Sequence, residues 1–540
     1  MKRNSFSNLR WLNAFVLATA MLLVSCYDDK GNYDYTVLEP MEITFPSASY
    51  IIPIGESLSI VPEVRTTIPD DDLEYTWEVG VDNTVTKNYY QFWEFAKGKS
   101  LNRQFKVDDI FTAAGSYSIR LHALQKSTGR HFYSPITNLQ LTGLTGLLVL
   151  HGDDSQSDIG IISDTEFLIG SSQLIQRQIN PEYYSSANGG EKIPGKGKFI
   201  TQRGGGLNAE NIYFHAIYAI TDKGDVAATY GGMRKIEGGW NSLFYGGLNK
   251  HQPEGLVQSI SSGLLTDRYV NLLAFDGGEM FGTQADDPFL MAEFGSENAM
   301  LKTYDMAPFI LIASGWQDCT LLFDRITRGF IGVLNFTNVY GKSELAASWY
   351  FPVEAAGAVF NPAQMNADLL WMGEGGVVNH ALSVFRRDNG SLFLAEINMV
   401  AGNKYSDIPV AVYEMDALPD IKNVIDFAAI KSGNTMYANY YATPSGVYRF
   451  TVDGKGTPID AEQLHQLDGT PVSFGSEKVT KMKLETLNGE QHLYVATFDE
   501  ATKKGSVYTM TVDPTNGSVN SAINHYTGFN RISDMFIKHM

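Results

Sequence analysis

From Glu42 to Leu141 apolar and polar residues alternate in short runs roughly ten residues apart, a strand rhythm rather than a helical one. "SLSIVPEV" alternates as a half-buried strand does. "EYTWEVG" puts Tyr75 and Trp77 on one face, and "AGSYSIRLHAL" places Tyr117, Ile119 and Leu121 at period two behind a glycine turn. This pattern predicts a small Ig-like β-sandwich over residues 43–142, with a core tryptophan on an early strand.

After "LTGLTG" the rhythm changes. Seven hairpin units follow, each an apolar strand, a polar turn and a second apolar strand. They begin at residues 147, 214, 269, 320, 381, 435 and 492, roughly 50 to 70 residues apart for the most part. Their turns include "DKGD", "DGG" and "DNG", the residues that tight hairpins favour. A further strand precedes several of them: "APFILIAS", "ADLLWMGE", "VIDFAAIK" and "VTKMKLET". Antiparallel units of three or four strands repeated seven times predict a seven-bladed β-propeller over residues 143–540. "RISDMFIK" (Arg531 to Lys538) has no hairpin after it, while the first hairpin has no strand of its own before it. The C-terminal strand is therefore expected to complete the first blade and remove two exposed edges. The competing arrangement is an open stack of β-sandwich domains.

Composition agrees with an all-β chain: aromatics are 12% of residues and glycines number 51. With 540 residues, more than one core is expected. The formal charge is −19 and there is no long basic run, which argues against a nucleic-acid partner. There are two cysteines, Cys26 and Cys319. Cys319, in "SGWQDCTLLF", reads as a buried structural thiol.

Cys26 has a distinctive setting. Lys2, Arg3 and Arg10 precede an apolar run from Trp11 to Val24, too short for a comfortable membrane span. Leu23-Val24-Ser25-Cys26 then resembles the bacterial lipobox, which implies cleavage after residue 25 and lipidation of Cys26. The alternative is an ordinary secretory signal that ends near a cysteine. Cleavage would remove three basic residues and no acidic one, taking the charge from −19 to about −22. Acyl chains would then anchor residues 26–42 as a tether, at about 0.8 kcal/mol per buried methylene. Asp28 and Asp29 resemble the export signal of Bacteroidetes surface lipoproteins, which implies the outer membrane and its exterior face.

Tyr75-x-Trp77 and Gly115-Ser116-Tyr117-x-Ile119-x-Leu121 resemble the PKD-like domains of such lipoproteins. The likeness covers about 100 residues. Glu78-Val79-Gly80 stands where those domains carry a stronger acidic-glycine turn. The family likeness implies an accessory to a SusC/SusD-type nutrient importer.

Signals for chemistry are sparse. None of the ten histidines forms HExxH or stands at ligand spacing from a cysteine. There is no GxSxG elbow and no P-loop; "QRGGGLN" lacks the Lys-Ser/Thr of one. "HGDDSQSD" reads as one solvated turn holding Asp153, Asp154 and Asp158. It and "PDDDLE" (Asp70 to Asp72) lack the ligand alternation of a calcium loop. No metal or cofactor is expected. Asp318, Asp324 and Glu374 are among many acids that could converge for glycoside cleavage, and no spacing selects any pair. Asp426 and Asp534 sit in similar strand contexts and are assigned to blade structure. Gly-flanked aromatics carry more weight: Trp240, Phe244 and Tyr245 in "EGGWNSLFYGG", and Trp316 in "ASGWQD", are the candidate ligand-binding residues. Trp349 and Trp371 lie inside apolar strands and are assigned to blade packing. "NYYQFWEF" (88–95) is either a strand or a partner-facing patch. The sequence thus points to a ligand-binding surface lipoprotein whose ligand is an oligosaccharide or peptide. The alternatives are a propeller glycosidase or lyase, and a purely structural component of an uptake complex.

Overall fold

The computed structural model describes residues 40–538 apart from 54–56, 82–91, 106–110, 112–114, 143, 168–176, 204–215, 230, 239–252, 264–265, 276–279, 285–289, 297–298, 301–303, 313–319, 339–343, 351–355, 400–407, 430–436 and 458. For the strands within 253–300 and 333–350 it describes the backbone alone. The fold is all-β, and the described chain divides into two compact units. One takes in residues up to 48, 59–102 and 118–137; the other takes in 49–58, 103–117 and 138–540.

In the first unit Leu73–Val81 pairs antiparallel with Phe92–Lys97, the C-terminal part of Gly115–Gln125 with Arg130–Tyr133, and Met41–Thr44 with Glu63–Thr66. Alternation sends Tyr75, Trp77 and Val79 inward, as it does Ile119 and Leu121. Phe45, one residue past Met41–Thr44, stacks on Trp77 at 5.5 Å. "NYYQFWEF" ends in a strand: Phe95 is buried, whereas Trp93 is exposed.

In the second unit every predicted hairpin is a pair of adjacent strands, and the sheets succeed one another as blades. Blade 1 is ordered Arg531–Lys538, Gly146–Gly152, Gln156–Ser163 and Gln178–Asn180. Blade 2 has Gly197–Arg203, Ala216–Thr221 and Asp225–Thr229. Blades 3 and 4 form one nine-stranded sheet, in which Leu290–Ser296 runs parallel to Glu344–Tyr350. Blade 5 starts at Ala367–Glu374, blade 6 at Asp426–Ala429 and blade 7 at Lys478–Leu487, each a four-stranded meander. Residues 146–152 pair with 531–538, so the ring closes through the C-terminal strand as expected.

The blades bury both faces. On Gly146–Gly152, Leu147 and Val149 pack toward blade 7, while Leu148 and Leu150 pack toward blade 2. That is why "LLVL" is a continuous apolar run instead of an alternating one. Full burial of such a side chain contributes about 1.5–3 kcal/mol. First strands touch around the ring: blade 1 meets blade 2, blade 5 meets 6, 6 meets 7, and 7 meets 1. In blades 1, 2, 5 and 7 this strand carries one extra residue: Ser533, Lys198, Leu370 and Thr480, respectively. Such a bulge re-aims the side chain that follows it. The side chains so placed are Asp534, Phe199, Trp371 and Lys481.

Candidate functional site

The polar turns of blades 1 and 7 converge beside the start of blade 2. At Gly152–Gln156 the carboxylate of Asp153 accepts from Ser155 N (2.7 Å), Ser155 Oγ (2.5 Å) and Gln156 N (3.0 Å). The Ser155 hydroxyl and these amides hold Asp153 below the usual carboxylate range. A Cβ on Gly152 would stand 2.2 Å from Gln156 O, so this turn requires glycine. In blade 7, Asp499 accepts from Ala501 N (2.7 Å) and Thr502 N (3.1 Å), and Lys503 closes the turn at φ 57°. The adjoining Glu500 faces Lys503 Nζ at 2.9 Å and also bonds Arg531 Nη2. Lys503, and then Arg531, lower its pKa.

Between these turns lies a cleft of about 330 Å³. Phe498 lines it and carries the Arg531 guanidinium on its ring at 4.2 Å. Lys196 enters from blade 2, with Nζ 3.6 Å from Asp154. Lys223 Nζ donates to Asp154 O at 2.9 Å. Ser533, the extra residue of the closing strand, completes the wall.

A second set of charges lies on the inner strands. Asp426 accepts from Met482 N of the next blade, and Asp534 accepts from Ile200 N of its next blade, each at 3.0 Å. Lys481 pairs with Asp426 at 3.1 Å. Burial acts to lower the Lys481 pKa, but Asp426 and Asp534 outweigh it and leave the pKa raised. These groups bind blade to blade.

Cys26, Trp240, Phe244, Tyr245, Trp316, Asp318 and Cys319 lie outside the described residues. Trp371 packs 5.9 Å from Phe427 of the next blade, in agreement with a packing role. Asp324 is fully buried and accepts the amides of Asp305 and Thr327 at 2.8 and 3.0 Å, which makes it a turn anchor. One reading requires correction. Asp158 does not share the solvated turn of Asp153 and Asp154. It lies on strand Gln156–Ser163, 2% exposed, and accepts from Ser185 Oγ at 2.5 Å. The strand begins at Gln156, three residues earlier than the polar run to Asp158 suggests. Among the described residues, no group of three or more His, Cys, Asp or Glu side chains is arranged to hold a metal ion. Sequence reasoning missed Lys196, Phe498, Glu500, Lys503 and Arg531. Their one local signal, the charge-dense turn "FDEATKKG", looks like any solvated hairpin.

A model of the PKD-like family matches residues 26–196, a stretch that begins at Cys26. No curated protein sequence matches the chain. Among solved structures, the chain is similar to a quinonprotein alcohol dehydrogenase-like protein from Bacteroides thetaiotaomicron, with 11% identity, 92% of this chain and 97% of that one covered, and a TM-score of 0.35. It is also similar to a DUF4784 family protein from Bacteroides caccae (8% identity, 91% and 98% covered, TM-score 0.26). A third similar structure is the WD40 domain of SCAP from fission yeast (11% identity, 58% and 69% covered, TM-score 0.29).

Proposed function

We propose that this protein is a lipid-anchored outer-membrane surface protein that recognises an oligosaccharide or peptide nutrient with its propeller and serves a SusC/SusD-type importer. The observation that carries the recognition role is the cleft at residues 152–154, 196, 498, 500, 503, 531 and 533, where side chains from three blades meet around one small space. Its volume falls in the small-molecule range, near the lower end of about 300–1,000 Å³. The lipobox-like Leu23-Val24-Ser25-Cys26 and the acidic Asp28-Asp29 support the anchor and the surface address. The PKD-like stretch behind them supports a spacer role for the sandwich.

The test has two arms. Cells grown with labelled palmitate should label the wild-type chain and not Cys26→Ala, and protease added to intact cells should degrade the labelled chain. The full chain, purified in detergent, should bind members of an oligosaccharide and peptide array without converting them. Absence of label removes the anchor. Turnover of a bound glycan would replace recognition with catalysis.

A further inference from the structure

The cleft gathers cations in a chain that is acidic as a whole. The protein as a whole carries −19. Yet three cations, Lys196, Lys503 and Arg531, line this space against three carboxylates, Asp153, Asp154 and Glu500, and Lys223 lies beside it with its Nζ on the Asp154 carbonyl. Two of those carboxylates are already engaged. Asp153 is consumed by its own turn, with three donors on its oxygens. Glu500 is shared between two cations, Lys503 and Arg531. Asp154 faces Lys196 across 3.6 Å, longer than a hydrogen bond.

The positive groups retain donor capacity. Arg531 uses Nη2 on Glu500 and lies over the Phe498 ring, which leaves Nη1 and Nε without a hydrogen-bond partner among the described residues. Nε–H and Nη1–H leave the guanidinium from different edges, so each offers its own charge-assisted hydrogen bond to a carboxylate oxygen. A volume of about 330 Å³ admits roughly one or two units of an oligomer, not a long stretch of chain.

We infer that the cleft takes its ligand by a carboxylate, held by Arg531 and flanked by Lys196 and Lys503. This deepens the recognition role proposed above and rests on it. The carboxylate has two chemical sources, the uronate of an acidic oligosaccharide or the free C-terminus of a peptide. Neutral sugars lack the group that the cations complement, and a strongly negative surface repels anions elsewhere.

The experiment is titration calorimetry on the full chain in detergent. The probes are trigalacturonate, neutral maltotriose, and one tripeptide with a free or an amidated C-terminus. The variants are Arg531→Ala and Lys196→Glu. The Lys196 ammonium comes no closer than 3.6 Å to an acid, and the short contact of this residue, to Asp222, is made by its backbone N–H, which a substitution keeps; its variant therefore keeps the fold testable if Arg531→Ala perturbs the closing strand. The expected result is that trigalacturonate or the free-carboxylate peptide binds, its neutral counterpart does not, and both variants weaken binding ~tenfold or more. Which of the two binds names the source of the carboxylate. If neutral counterparts bind equally well and Arg531→Ala abolishes that binding, the carboxylate inference fails while recognition by the cleft stands. If the carboxylate ligand binds undiminished to both variants, the inference fails because the anion sits elsewhere. If no probe and no array ligand binds the wild-type chain, the inference and the recognition role fail together.

Discussion

Asp534 of the closing strand accepts the backbone N–H of Ile200 at 3.0 Å, so the side chain that completes blade 1 also supplies a hydrogen bond to the inner strand of blade 2. Asp426 does the same for Met482 between blades 6 and 7. Both aspartates reach a backbone N–H on the inner strand of the following blade, and each substitutes for a ladder hydrogen bond that two different sheets cannot make with each other.

Asp534→Ala leaves a buried N–H unpaired and is expected to lower stability by about 1–3 kcal/mol. Urea unfolding followed by tryptophan fluorescence checks this. An unchanged midpoint would mean that water replaces the carboxylate.

His151 is buried, and its ring is fixed by two backbone partners. Nε2 donates to Pro181 O at 2.8 Å, and Nδ1 accepts from Asn530 N at 3.1 Å. Burial lowers its pKa below 6.5. The unfolded chain then binds a proton first as pH falls. The contribution of His151 to stability is complete above about 6.5 and declines as pH drops toward the lower folded value. Unfolding midpoints at pH 7.5 and 5.5 should show this loss. His151→Gln should start less stable and lose less between the two.

Lys538 is fully buried near Tyr183, and burial pushes its pKa down to about 7 from an ordinary 10.5. Between those values the unfolded state holds the extra proton, so this group makes stability rise with pH from about 7 to 10.5. Lys538→Met should stabilise the protein at pH 7 by about 2 kcal/mol or more and flatten that rise. Melting temperatures from pH 7 to 10 measure both effects.

Gly152→Ala should disturb the cleft from below, because its Cβ would meet the Gln156 carbonyl and Ser157 Cα, which are backbone atoms that cannot swing aside. A loss of about 1–3 kcal/mol is expected, together with weaker ligand binding. The comparison that matters is with Gly446→Ala, whose Cβ would meet nothing closer than Gln463 Nε2 at 3.5 Å.

The hairpins were legible because a two-residue period and Asp-Gly turns are local signals, and the closing strand because a strand without a hairpin had only one place to go. Asp426 and Asp534 were readable as blade structure by their common context. The role of Asp158 was not, since a turn and the first residues of a buried strand share the same polar letters. The cleft was hidden for a different reason. Arg531 and Glu500 lie 31 residues apart, and Lys196 joins them from the far side of the ring closure. No spacing along the chain records that meeting.

Blade 1 draws three strands from residues 146–180 and its innermost one from 531–538. During synthesis that sheet waits, one strand short and with an unpaired edge, until some 350 further residues have appeared. A premature stop anywhere before Arg531 would therefore leave the earliest blade as the defective one, and a chaperone guarding this molecule would have most to do at its beginning.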